Sequence, residues 1–346
     1  MAQQQPLGFD RRDFLRTAGG AALGAGMGAG FGVLPAGRVW AAPKQAATVA
    51  APETLVKTLF QSLSPEQAAK VCFPWGHVAK GRGLLRTRVS ANWQITEPSL
   101  FEDFYTDDQR HTVRKIMEGI YSPEWIERID KQFDEDSGGW EQNSIAIFGD
   151  PKSDQFEFVM TGRHLTVRCD GNTTEHVAFG GPIFYGHAAD TDTEGPDHPG
   201  NVYWSQGVAA NALYQMLDGK QRDMALVHTG LPAEQKIAFR GERGGFQGMP
   251  VAECSADQKA ALQGVLKKLV EPYREVDRQE VTACLEAQGG LDRCHLAFYQ
   301  EGDIGADKVW DNWRLEGPAF VWHYRGAPHV HVWVNVADSP GVELNA

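Results

Sequence analysis

The sequence predicts an α+β domain, in which strands from the middle and the end of the chain form one antiparallel sheet flanked by helices. Three observations carry that prediction. Four stretches share a reciprocal helix-start pattern, with a capping side chain three residues ahead of a Gln: Ser64 and Gln67, Thr106 and Gln109, Asp218 and Gln221, Ser255 and Gln258. A β-prone section runs from Ser144 to Arg168 between the two groups of helices. The chain then closes on a period-two stretch, where Val330, Val332, Val334 and Val336 point one way and His329, His331, Trp333 and Asn335 the other.

Each helix start is followed by apolar residues at helical spacing, as in Leu262, Val265, Leu266 and Leu269. A fifth helix is expected from Ser122-Pro123, with Pro in the first turn and Trp125, Ile126, Ile129 and Phe133 on one face. Helices thus dominate 53–135 and 207–285. Ser144–Phe148 and Phe156–Met160 read as strands joined by a Gly- and Pro-punctuated turn. Thr161–Arg168 reads as a further strand, with Leu165 and Val167 on one face and His164, Thr166 and Arg168 on the other. Val177–Tyr185 and Leu296–Tyr299 read as strands too. Ala319–Tyr324 pairs with the terminal strand through Arg325-Gly-Ala-Pro328, a connection of hairpin length. Asp134-Glu-Asp-Ser-Gly-Gly139 reads as a solvated turn, and Gly241–Gly248 as a loop too rich in glycine for a helix. No interior boundary stands out, so 53–346 is expected to form a single domain.

The 346 residues are 42% hydrophobic and 23% charged, an ordinary globular balance, and carry a net charge of −12. That charge leaves nothing to neutralise phosphates, so a nucleic-acid partner is not expected. Asp10-Arg-Arg-Asp-Phe-Leu15 is a twin-arginine pattern, followed by an uncharged run from Ala18 to Leu34 and a small-residue site at Val39-Trp-Ala41. Residues 1–41 therefore read as a twin-arginine signal peptide and 42–52 as a linker. The implied partner is the twin-arginine translocation machinery, and the implied location is the periplasm or the exterior. No stable membrane anchor is expected after cleavage, which also removes four arginines and two aspartates and leaves the remainder more negative still. Five cysteines fit an oxidising compartment, with Cys284 and Cys294 the candidate disulfide pair and no CxxC present.

His329 and His331 stand on one strand face with α-carbons about 6.6 Å apart by strand rise. Two imidazoles so placed can meet on one ion, at about 2.0–2.1 Å each. The third ligand expected is His164, on a strand of the same sheet; His323 is a further candidate, and His187 a reserve. Histidine-only ligation suits copper first, and zinc or iron as well. Arg163, beside His164, can hold an anion or a substrate carboxylate, and Trp333 can line a pocket for a flat or sugar-like ligand. Asp190-Thr-Asp-Thr-Glu-Gly195 mimics the first half of a calcium loop, but Asn201 stands where a bidentate Glu belongs. Beyond residue 41 there is no P-loop, GxSxG elbow, HExxH or dinucleotide fingerprint.

Several of these motifs recur in a known order: Ile147-Phe-Gly-Asp-Pro151, Gly162-Arg-His-Leu-Thr166, Leu217-Asp-Gly-Lys-Gln-Arg222, and Trp313-Arg-Leu-Glu-Gly-Pro-Ala-Phe320 followed by His329-Val-His331. In that order the chain resembles a bacterial family of exported proteins catalogued as a domain of unknown function, numbered 3500. The resemblance implies a shared polar site built from a Gly-His-His and a His-x-His motif, here retained at His164, His329 and His331. Arg163 stands where the first His of the pair is usual, Val334-Asn335 replaces an Arg-Asp, and His323 replaces a glutamate. The resemblance implies no established activity. Two readings follow. One is an exported metal-binding protein, a copper, iron or zinc centre with an oxidoreductase role ahead of a hydrolytic one. The other is a non-catalytic periplasmic module for an anionic or sugar-like ligand.

Overall fold

The computed structural model describes residues 50–171, 176–189, 200–304 and 308–345, and by internal contacts Val49–Ala346 is one unit. The twin-arginine segment and the acidic loop Asp190–Gly195 lie outside the described residues. In chain order the first half holds α1 (Pro52–Ser62), α2 (Pro65–Val71), β1 (Cys72–Phe73), β2 (Val78–Ala79) and β3 (Gly83–Leu84). It continues with α3 (Asp107–Ile120), α4 (Ile126–Ser137), β4 (Ser144–Gly149), β5 (Phe156–Gly162), β6 (Leu165–Asp170) and β7 (Ile183–His187). The second half holds α5 (Trp204–Met216), α6 (Gly219–Ala225), β8 (Leu226–Val227), β9 (Met249–Pro250), α7 (Ala256–Val270) and α8 (Glu275–Ala287). It ends with β10 (His295–Tyr299), β11 (Asn312–Gly317), β12 (Phe320–Arg325) and β13 (Val330–Val336).

All four reciprocal caps form, at Ser64/Gln67, Thr106/Gln109, Asp218/Gln221 and Ser255/Gln258. Each glutamine also reaches across to another cap. Gln67 and Gln109 exchange hydrogen bonds at 2.9 and 3.0 Å, and Gln221 and Gln258 do the same at 3.0 and 2.7 Å. Their remaining amide protons go to carbonyls at matching places, Phe104 and Ser62 in one pair, Glu253 and Met216 in the other.

That match extends to the whole sheet. Its order is β1-β4-β5-β6-β7-β13-β12-β11-β10-β8, with β9 added beside β10. Read from either end, the path is the same succession: a short edge strand paired in parallel, then an antiparallel meander of four. The chain is therefore two copies of one unit, two helices, an edge strand, two helices and four strands. They are joined where β7 pairs antiparallel with β13 and where Tyr121 bridges Tyr273. The two edge pairings are the parallel exception to the expected antiparallel sheet, and they arise because a helical pair separates each edge strand from its partner.

One sheet face packs against the helices through Phe158, Met160, Leu165, Val167, Ile183, Tyr185, Val330, Val332, Val334 and Val336, all buried. The opposite face, expected to be polar, is buried as well. Phe184, Val321 and Trp333 lie beneath Ile237, with Val89, Ala91 and Phe239 packed around them. Two irregular segments, roughly 85–95 and 231–241, do the covering in place of helices, and this buries Asn335 and Trp333 to 1% and 3% exposure.

Three local expectations change. The fifth helix begins as a 3-10 turn, Pro123–Trp125, before α4. Val177–Tyr185 is broken by a 3-10 turn at Ala178–Gly180, so strand pairing starts at Ile183. Cys284 and Cys294 are free and buried rather than bridged. The Cys284 thiol meets the Ala178 backbone, whereas Cys294 lies where a side chain on Gly317 would be, so the two sulfurs face different neighbours.

Candidate metal centre

Thr161–Arg168 is not one strand. Gly162 pairs with Leu165 across a two-residue turn, Arg163-His164, and His164 occupies the left-handed region at φ 54°. The turn swings the His164 ring off the strand and over the sheet end. A Cβ on Gly162 would lie 1.7 Å from Oδ1 of Asn143, so this approach requires glycine there.

The register then sets the rest. Continuing the β6–β7 pairing places His164 opposite Gly186, Gly186 pairs with His331, and His331 pairs with Arg325, giving one row across four strands. Gly186 shares a sheet face with Phe184, which packs edge-on to His331 at 5.2 Å. With no side chain at Gly186, the imidazoles of His164 and His331 meet across the intervening strand. A Cβ there would also come within 2.2 Å of the Val330 carbonyl oxygen. His329 arrives from the β12–β13 connection, where Ala327-Pro328 is cis.

The three Nε2 atoms form a near-equilateral triangle: 3.1 Å from His164 to His331, 3.2 Å from His164 to His329 and 3.0 Å from His329 to His331. Two carboxylates hold the rings from behind. Nδ1 of His331 lies 3.0 Å from Oε2 of Glu234, which also accepts from Trp333 Nε1 at 3.2 Å and sits beside Arg325. Nδ1 of His164 lies 2.9 Å from Oδ2 of Asp136, a short contact at an angle away from a straight hydrogen bond. Oδ1 of Asp136 accepts from the Ala188 amide at 2.9 Å.

These partners decide the tautomers. A carboxylate oxygen repels a bare imidazole lone pair, so Nδ1 carries the proton in both His164 and His331, and both Nε2 atoms are acceptors. They nevertheless lie 3.1 Å apart. A proton on Nε2 of His329 can bridge to one of them and not to both, which leaves three converging nitrogens short of positive charge. Protonating His329 or His331 is opposed. Burial, with help from His331, His164, Arg325 and Arg163, pushes His329 down to about 3, and burial pushes His331 down to about 4 against the pull of Glu234. Burial alone would raise Glu234, but the hydrogen bond and charge of His331, then Arg325 and Trp333, take it to about 2.

A metal ion resolves the conflict. Bonds of about 2.0–2.1 Å to three nitrogens so spaced subtend about 100° at a common centre, within the range of a three-histidine cap with one face open. His164, His329 and His331 are the group of three potential ligands whose donor atoms lie within 4.8 Å of one another among the described residues. His164 and His331 are buried, and His329 is half-buried.

The other expected residues fall elsewhere. His323 lies on β12, 1% exposed, and its Nδ1 accepts from Arg314 Nε at 3.2 Å, so it stands outside the triangle. His187 has Nε2 on Glu135 at 2.8 Å and Nδ1 accepting from the Val202 amide at 3.2 Å. Trp333 packs tilted against Phe184, with ring centroids 4.5 Å apart, and is tied to Glu234, which makes it a brace for the site rather than a pocket wall. Arg163 keeps a half-exposed side chain at the rim.

Three residues escaped sequence reasoning. Asp136 sits in a run that reads as a solvated turn, yet that run is the last turn of α4, and its side chain is fully buried. Its spacing from Ile129, Gln132 and Phe133 was the available signal. Glu234 comes from an irregular segment with no periodicity. Gly186 looks like any glycine until the register is known.

Comparison with curated proteins and with solved structures returns no match. The characteristic pattern of one family covers residues 45–335, taking in all three histidines and both carboxylates of this site. The chain belongs to that family, described as Protein of unknown function (DUF3500).

Proposed function

We propose that this protein binds a single transition-metal ion through Nε2 of His164, His329 and His331, after export by the twin-arginine route to the periplasm or beyond. The observation that carries the reading is the triangle of Nε2 atoms at 3.0–3.2 Å, two of which are made acceptors by carboxylates behind their rings. Copper ranks first for an imidazole-only donor set, because it tops the divalent affinity order, and zinc or iron fits the same atoms. Such an ion supplies an open coordination position, at which copper or iron supports redox chemistry and zinc activates water.

The protein's own residues define what that position experiences. Asp136 and Glu234 fix the rings and raise their basicity. Phe184, Trp333 and the covering segments keep water from the inner side, so a ligand approaches past His329 and Arg163.

Elemental analysis of protein purified from its exported compartment tests the reading. One equivalent of metal is expected in the wild type, less than about a tenth in His329→Ala and His331→Ala, and one equivalent in His323→Ala. Metal-free wild type, or equal loss in all three variants, refutes it. Twin-arginine export is tested by moving the chain into a cell lacking that machinery, where retention of the uncleaved precursor is expected.

A further inference from the structure

We propose that the cavity between Trp93 and Arg163 binds the carboxylate of a small planar acid at the rim of the histidine centre. The binding stands on its own observations; only its bearing on chemistry rests on the metal reading.

Arg163 occupies the first position of the turn whose second position is His164, so any group it holds is delivered beside the triangle. Its side chain is 51% exposed, and its nearest carboxylate oxygen, Oδ1 of Asp136, is 4.0 Å away. Asp136 is already engaged, accepting from the Ala188 amide with one oxygen and facing His164 Nδ1 with the other, both at 2.9 Å. Among the described residues Arg163 donates no hydrogen bond, which leaves a guanidinium fork whose geometry matches a carboxylate in two parallel hydrogen bonds.

The space beside it is shaped. Asn92, Trp93, Gln94, Gly162 and Arg163 line a cavity of 260 Å³. That falls below the roughly 300–1,000 Å³ of sites for drug-sized molecules, and so selects a small ligand. Trp93 is held by its Nε1, which donates to Thr166 Oγ1 at 2.8 Å, so its indole is a fixed wall against which a flat body can lie. Arg82 and Arg88 each place a guanidinium carbon 5.7 Å from that ring. Arg163 lines the cavity, Arg82 and Arg88 add positive charge against its Trp93 wall, and no carboxylate is among the lining residues. The balance favours an anion over a cation or a neutral sugar. Gly162, beside the turn, brings no side chain into this lining, and a Cβ there would lie 1.7 Å from Asn143 Oδ1.

Calorimetric titration of the full chain with benzoate, benzyl alcohol and glucose tests this, with metal content measured on each sample. Saturable benzoate binding is expected in the wild type, at least tenfold weaker in Arg163→Gln and intermediate in Arg163→Lys, with metal content unchanged in both variants. Benzyl alcohol and glucose are expected to show no saturable binding. Equal affinity in wild type and Arg163→Gln, equal affinity for benzoate and benzyl alcohol, or no benzoate binding at all overturns the proposal. Arg163-dependent benzoate binding in metal-free wild type sustains the subsite and removes the metal reading; bound metal without benzoate binding does the reverse.

Discussion

Asp136→Asn isolates what holds the triangle in register. The side chain is fully buried, with one oxygen 2.9 Å from the Ala188 amide and the other 2.9 Å from His164 Nδ1. Asparagine is nearly the same shape, but it offers one oxygen and one NH2 where the site needs two acceptors. Keeping the oxygen on Ala188 turns the NH2 toward Nδ1, and the ring then does best with its proton moved to Nε2. That proton points at the metal position and silences one of three ligands. Losing the carboxylate behind a ligating histidine costs about 10- to 100-fold in metal affinity. By the logarithmic relation between affinity and free energy, this is about 1.4–2.7 kcal/mol.

The assay is a competition titration against a chelator of known affinity, with thermal unfolding of the metal-free protein recorded beside it. Weaker metal binding by at least tenfold, with the metal-free melting temperature within a few degrees of wild type, is the expected pair of results. If Asp136→Asn binds metal as tightly as wild type while folding normally, the tautomer argument is wrong, and with it the claim that the carboxylates make Nε2 of His164 and His331 acceptors.

Gly186→Ala places a Cβ 2.2 Å from the Val330 carbonyl oxygen, so β7 and β13 must separate by about 1 Å to restore ordinary contact. Both metal content and melting temperature are expected to fall, and an unchanged pair would show that the row through Gly186 does not set the spacing. A pH test concerns Glu280 on α8, which accepts from the Phe179 amide at 3.0 Å and is pushed up to about 8 by burial and then by Asp170 and Asp277. Its folded value exceeds the unfolded one, so the native state holds the extra proton between about pH 4.5 and 8, and stability falls as pH rises through that window. In urea titrations across that range, Glu280→Gln is expected to remove a decline on the order of 5 kcal/mol. A wild-type stability flat over the window would contradict the assignment.

Much of the fold was legible because its signals are local. A cap and its glutamine lie three residues apart, and all four such pairs form. The valines of β13 alternate with His331, Trp333 and Asn335, and the strand obeys that alternation. His329 and His331 declared themselves through the same period. The internal duplication was present in the capping pattern, yet sequence reading took it as four similar helix starts. Only the cross-pairing of Gln67 with Gln109 and Gln221 with Gln258, and a sheet that reads alike from both ends, shows two copies of one unit.

By itself, then, the sequence determined the helix starts, the strands that flank the site, and the three histidines. Tertiary structure decided that His164 sits on a turn rather than within a strand, that Gly186 opens the path between two rings, and that His323 and His187 belong to other partners. It also decided that Asp136 stands behind His164 and Glu234 behind His331. The reason is physical: propensity and periodicity act over a few residues, whereas strand register and the burial of a carboxylate arise from contacts between segments 28 to 167 positions apart in the chain.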